Sequence, residues 1–520
     1  MIPEQSHEMD EFLDSNVRVH DKHRFEIKLD VAFQAEERHV YRVETYLFIP
    51  RTLGVTPSAF SNADFYNNIQ RYIRFKTPRF NIAKLKDPAA KNSPLVRLKE
   101  MVGAISAGDA SAAAVDRAYD EIKLLGCVVR AGLRDQVQFF ISELASIPEE
   151  EKASEIRIAA FKEQAATFVT GVLEFIEEIH VLRSALAKPT VPDRLREAFA
   201  FMDEYFSIAS EDSLTSLLEA IRGRGAQRGA LSELDGKLAE IIKGQEGYRA
   251  SMGYPSLVDK GTDSETLVYR RGVLKKFISN ILYLQIETSQ WERWSQVLFG
   301  AATAMAMAFF VVGTFLASRR FPSDSLAFGA LVVAMYVARD GIKDFLKRWL
   351  LTRWTRWASD RTTVIRDPST GLEIGGMKEA FSFIRASAVP REILRRRLMD
   401  SITAVENEGK PEDVIRYEKE VVLYPKRITE FHERRKDLND ILRVNIFPFL
   451  VQADDPKADY THLNPKTGKL EVLQCSRVYH INVLLRYLVR TSGGETEKFD
   501  RLRIVLNRKG IKRLEEVSAP

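Results

Sequence analysis

The chain has 520 residues, long enough for two or three units with cores of their own. Its 77 Lys and Arg against 72 Asp and Glu leave a net charge of +5, too small at this length to argue for nucleic acid or a strongly acidic partner. Cys127 and Cys475 lie far apart, give no disulfide framework, and suit a reducing compartment.

Residues 1–23 are polar and acidic, lack the apolar stretch of a signal peptide, and read as a tail. In residues 24–90 the pattern changes. Phe25, Ile27, Leu29, Val31 and Phe33 alternate with mostly polar residues, the period of a half-buried strand. Residues 40–49 form a second strand, and the polar stretch 34–39 between them makes a β-hairpin that needs partners to be stable. Residues 60–80 read as a short amphipathic helix running into an extended segment. There Tyr66, Tyr72 and Phe75 mix with Arg71, Arg74, Lys76 and Arg79, and rings beside cations suit phosphate or nucleic acid. No glycine-rich or RNP-like motif accompanies them, so a docked helix with snorkelling arginines is the simpler reading.

Residues 91–290 carry the helical period. Ile158, Phe161, Ala165, Phe168, Val172, Phe175, Ile179, Leu182 and Leu186 recur in steps of three and four. Such a heptad would serve a coiled-coil dimer, but Val169 and Ile176 widen the stripe, which favours an antiparallel bundle. A last helix from residue 265, with Leu274, Phe277, Ile281 and Leu284, is expected to run on into the apolar segment that follows.

That segment, residues 291–340, reads as a transmembrane hairpin with spans at about 297–317 and 322–338. The first arm is uncharged and long enough to cross a bilayer; the second is shorter. The expected fold class is therefore an α+β integral membrane protein. It combines a cytoplasmic helical bundle, a two-span hairpin, and an antiparallel β-sheet domain in residues 361–520 that the N-terminal hairpin completes. All five Trp flank the arms: Trp291 and Trp294 before them, Trp349, Trp354 and Trp357 after, as in an aromatic belt. Gly300, Ala304 and Ala308, with Ala330, Ala334 and Ala338, offer small faces on which the two helices could pack in lipid. In a basic helix expected at 341–360, Lys347, Arg348, Arg353 and Arg356 would rest on anionic headgroups. With Arg339 and Lys343 these cations make six against Arg319 and Arg320 in the bend, which places both termini in the cytoplasm and the protein at the cell's inner membrane.

Strands are expected again at 414–425, 440–452, 469–474, 477–489 and 501–507. Motifs of phosphate-binding loops, dinucleotide sites, zinc proteases, serine hydrolases and redox dithiols are all absent. Asp454, Asp455, His462 and His480, with Asn482, are the one polar cluster suited to metal binding or acid–base work, but no spacing among them is diagnostic. No catalytic, cofactor or metal residue is therefore assigned. The function expected is a non-enzymatic scaffold or sensor, anchored in an anionic bilayer and engaging a protein partner or a second copy. Two alternatives stand beside it. One is an oligomeric channel or pore-forming effector, although neither arm carries a polar stripe; the other is a membrane-tethered enzyme using the Asp454, Asp455, His462 and His480 cluster.

Overall fold

Period-two alternation gives a strand one apolar face, and two such faces laid together make a core. The computed structural model follows that logic with two stacked sheets. It describes residues 13–33, 38–148, 153–224, 229–257, 264–289, 291–322, 325–355, 360–398, 412–432, 434, 437–491 and 494–517. The smaller sheet has the order β1 (Leu13–Val19), β2 (Arg24–Ala32), β9 (Asp437–Asn445), β4 (Ile69–Phe75). The larger has eight strands. From one edge they are β14 (Gly510–Glu516), β13 (Gly494–Asn507), β12 (Tyr479–Thr491), β3 (His39–Pro50), β8 (Glu412–Leu423), β7 (Glu373–Ile384), β6 (Arg361–Arg366) and β5 (Gln285–Ser289). A separate two-stranded ribbon pairs β10 (Lys457–Leu463) with β11 (Leu470–Ser476).

The two N-terminal strands do not pair with each other. β2 pairs with β9, and β3 lies between β12 and β8, antiparallel to both. Chain segments several hundred residues apart therefore interleave in both sheets. Leu13–Val19 is a strand rather than part of a tail, and Ile69–Phe75, expected as helix and extended segment, is strand β4. Gly510 fixes one junction between the sheets. Its φ of +126° is open to glycine, and a Cβ there would lie 2.2 Å from the Lys22 carbonyl oxygen. Ile511 N–H donates to that same carbonyl at 2.7 Å.

Between the sheets the apolar core is interrupted by a buried polar row. Phe25, Ile27, Val31, Leu438, Leu442 and Val444 face inward from the small sheet, and Val43, Leu47, Ile415, Val421, Val483 and Leu485 from the large one. Within this layer Lys419 Nζ meets Asp440 Oδ1 at 2.6 Å, and the Tyr41 hydroxyl donates to Asp440 Oδ2 at 2.9 Å. Next to them Arg71 and the Tyr417 hydroxyl both donate to the buried Glu379 carboxylate. Burial and the Asp440 charge push the Tyr41 phenol well above its ordinary value, so it serves as a permanent donor. Buried charges survive only when paired, and here each carboxylate has a cation and a phenol.

The opposite face of the small sheet carries Glu26, 1% exposed, bonded by Arg443 at 2.6 Å and Arg18 at 2.8 Å. Burial opposes its ionisation, but hydrogen bonds and charge from the two arginines outweigh that and hold its pKa below the ordinary carboxylate value. The sign follows. A depressed folded-state pKa contributes stability that is present above the unfolded value of about 4.5 and is lost as pH falls through the folded value. The stability gap between the native chain and a Glu26→Gln variant should therefore narrow as pH drops from 6 toward 3 in urea titrations. A gap independent of pH would contradict this assignment.

The helices pack beside the small sheet as one continuous core with it. They are α1 (Pro94–Ser106), α2 (Ala112–Ser146), α3 (Ala153–Leu186), α4 (Asp193–Arg222), α5 (Ser232–Ser251) and α6 (Ser264–Ser279). The heptad residues Phe161, Ala165, Val172, Phe175, Ile179 and Leu186 of α3 are all buried within the chain, as in a bundle. Gly132 of α2 permits a close approach, since a Cβ there would stand 2.6 Å from the Phe80 carbonyl oxygen. Bundle and sheet are tied where Leu284 N–H donates to Ile73 O at 2.9 Å and where Arg434 binds Glu121 through both nitrogens at 2.8 and 2.6 Å. The last bundle helix does not run on into the apolar segment. α6 stops at Ser279, and β5 intervenes.

Candidate functional site

The element that stands apart from both cores is the pair α7 (Trp291–Ser318) and α8 (Leu326–Thr355). β5 precedes α7, and β6 follows α8. These strands pair antiparallel, from Gln285 opposite Arg366 to Ser289 opposite Thr362, so the hairpin leaves and returns at one edge of the large sheet. The return is clamped. Asp360 accepts from the Tyr66 hydroxyl at 3.2 Å and from Phe381 N–H at 2.6 Å, while the Arg361 guanidinium lies 4.1 Å from the Tyr66 ring centroid.

The structure corrects the two-span reading. Among the described residues one helix, at Phe299–Ser318, is long and apolar enough to cross a membrane, with mean hydropathy 1.9. α8 is not. Its uncharged residues 326–338 reach roughly 20 Å at 1.5 Å per residue, against a hydrocarbon core of about 30 Å, and Arg339, Asp340, Lys343, Asp344 and Lys347 follow in the same helix. A two-span integral membrane protein is therefore not supported, and the chain is a mixed helix-and-sheet protein with one candidate membrane helix.

Within the Phe299–Ser318 stretch only 11% of the most apolar 18-residue window is buried, unlike the core helix of a globular unit. Met305, Met307, Phe309, Val311, Val312, Phe315 and Leu316 are all exposed. The helices meet on a face other than the expected one. Gly300, Ala304 and Ala308 are exposed, as are Ala330, Ala334 and Ala338, whereas Ala302, Ala306 and Ala317 are buried against the partner helix or the bend. Phe310 and Tyr336 cross edge to face with centroids 6.1 Å apart, and a Cβ on Gly313 would touch the Met335 sulfur at 2.6 Å. Arg339 covers the Tyr336 ring at 3.9 Å, and Arg319 lies 4.7 Å from the Phe315 centroid.

Of the expected interface residues, Trp349 is half exposed, and Lys347 Nζ sits 5.4 Å from the Phe299 centroid. Trp291, Trp294, Arg348, Arg353 and Trp354 lie within helical backbone, and Arg356 and Trp357 lie outside the described residues.

The polar cluster read from the C-terminal sequence is only partly assembled. Asp454 and His480 line one cleft of about 300 Å³ with Glu412, Arg477 and Tyr479. Asp455 turns away to Arg508 at 3.2 Å, and His462 stacks beside Tyr460 on the ribbon, with centroids 6.4 Å apart. Among the described residues no group of three or more His, Cys, Asp or Glu is arranged to hold a metal ion. Asn482 is fully buried on the strand that carries His480.

The residues that sequence reasoning missed are Ala302, Ala306, Gly313 and Met335. An alanine-rich helix offers several small faces, and the sequence carries no signal that selects one. Comparison with known proteins adds no assignment: no family model, no curated protein and no solved structure matches this chain.

Proposed function

We propose that this chain is a non-enzymatic scaffold or sensor held on a lipid bilayer by the α7–α8 hairpin, which lies within one leaflet and does not cross. The observation that carries this reading is the exposure of a long apolar helix on nearly all sides, with both ends of the excursion fixed to one sheet edge. Water penalises such a surface by roughly 25 cal/mol per Å², and acyl chains remove that penalty. Arg319 and Arg320 at the bend, and Lys343 and Lys347 on α8, are spaced to reach headgroups from a helix pair lying in the interfacial plane. Anionic lipid adds roughly 1 kcal/mol per nearby cation.

Density-gradient flotation of the full chain with vesicles of phosphatidylcholine and phosphatidylserine tests the reading. The chain should rise with the vesicles. A chain that stays below them and instead forms dimers closed over the hairpin would overturn it in favour of self-association.

A further inference from the structure

A second feature lies away from the hairpin, in the seam between the bundle and the outer face of the small sheet. β4 places Tyr72 and Arg74 on that face, and its neighbour β9 contributes Arg443, which is in register with Gln70. The bundle brings exposed Arg130 from α2 and exposed Lys275 from α6. Tyr72 and Tyr283 meet edge to face with centroids 6.1 Å apart. Arg443 stands 5.3 Å from the Tyr72 centroid and Arg74 6.0 Å from that of Tyr283. Arg130 donates to the Tyr205 hydroxyl at 2.6 Å.

The seam has more positive charge than its own carboxylates neutralise. Glu26 is occupied by Arg443 and Arg18, and Asp30 by Lys28 and Lys76. Among the described residues Arg74, Arg130 and Lys275 make no ion pair, and the Nε of Arg74 is buried without an acceptor. Partial loss of hydration beside the bundle holds the Lys275 ammonium below its ordinary pKa, helped by repulsion from Arg130, Arg443 and Arg74. A bound anion would relieve that repulsion.

We propose that this seam is a binding site for a phosphate-bearing anion, held by Arg74, Arg130, Lys275 and Arg443 beside the Tyr72 and Tyr283 ring pair. Guanidinium forks match phosphate oxygens in pairs, and a charge of two or more is needed to answer several cations at once, which a single carboxylate does not supply. The same chemistry is offered by a free phosphorylated solute and by a phosphoinositide headgroup. The site is independent of the hairpin and of its role at a bilayer.

Isothermal titration of the full chain with inorganic pyrophosphate tests it. Saturable binding is expected, weakened at least tenfold by Lys275→Ala and by Arg130→Ala, with the urea midpoint of each variant measured alongside to separate loss of the site from loss of the fold. Arg51→Ala, at an ion pair with Asp413 elsewhere, should bind as the native chain does. Two arms separate the sources, both in a hairpin variant that no longer floats with phosphatidylserine vesicles. Capture on phosphoinositide vesicles, reversed by pyrophosphate, identifies a headgroup; pyrophosphate binding without such capture identifies a solute. Absence of saturable binding, or equal binding by the Lys275→Ala and Arg130→Ala variants, overturns the site. So does a single-stranded oligonucleotide that binds far more tightly than pyrophosphate and depends on the same residues, which would make the seam a nucleic-acid surface.

Discussion

Asp440→Ala is expected to destabilise the chain by about 3–5 kcal/mol, read as a fall in the urea midpoint at unchanged slope. The side chains of Asp440 and Lys419 are 1% and 3% exposed, and the ammonium has no route to water once its carboxylate is gone. The Tyr41 hydroxyl, which donates to the same carboxylate, would be orphaned as well. The cost comes from the groups left behind rather than from the strength of the pair. A triple variant, Tyr41→Phe with Lys419→Met and Asp440→Leu, should therefore recover most of the loss, because nothing polar remains unpaired in the layer. A loss below about 1 kcal/mol in the single variant would show that water reaches this layer.

Val312→Lys with Phe315→Lys should lower vesicle partitioning at least about a hundredfold. Both side chains are more than half exposed, at 56% and 57%, so the substitution removes little packing within the chain, and the urea midpoint should stay within about 1 kcal/mol of the native value. Each substitution withdraws an apolar side chain whose burial among acyl chains contributes roughly 1.5–3 kcal/mol, and the lysine stem that replaces it recovers only part of that. Two such losses exceed the 2.7 kcal/mol or so that corresponds to a factor of a hundred. Unchanged flotation would place the lipid contact elsewhere on the molecule.

Much of the local structure was legible, and most of the long-range structure was not. Alternation marks Phe25–Val31 and Val40–Ile49 as strands, because period two follows from the pleat itself. It does not name a neighbour, so two strands close in sequence read as a hairpin although β9, β12 and β8 are their partners. β7 escaped notice because Gly375 and Gly376 dilute its pattern, yet a Cβ on Gly375 would collide with the Val422 carbonyl oxygen of the adjacent strand at 2.5 Å. β5 is too short for its pattern to interrupt a helical reading that runs from Leu274 to the apolar arm. In the hairpin, composition located α7, but it could not show that the charges from Arg339 onward belong to the same helix as the second apolar arm. The basic seam was half visible. Tyr72 and Arg74 stood out as rings beside cations, whereas Arg130, Lys275 and Arg443 reach them only through the fold.

The hairpin contains its own reporter. All five Trp fall between Trp291 and Trp357, so intrinsic fluorescence arises from the hairpin and its immediate flanks. The most direct measurement is the quenching of this fluorescence in vesicles whose lipids carry bromine at chosen depths along the acyl chain. Insertion within one leaflet predicts a blue shift on mixing and strongest quenching by bromines near the headgroup, with little from those at the bilayer centre. An emission spectrum and intensity that do not change with any of these vesicles would contradict the account.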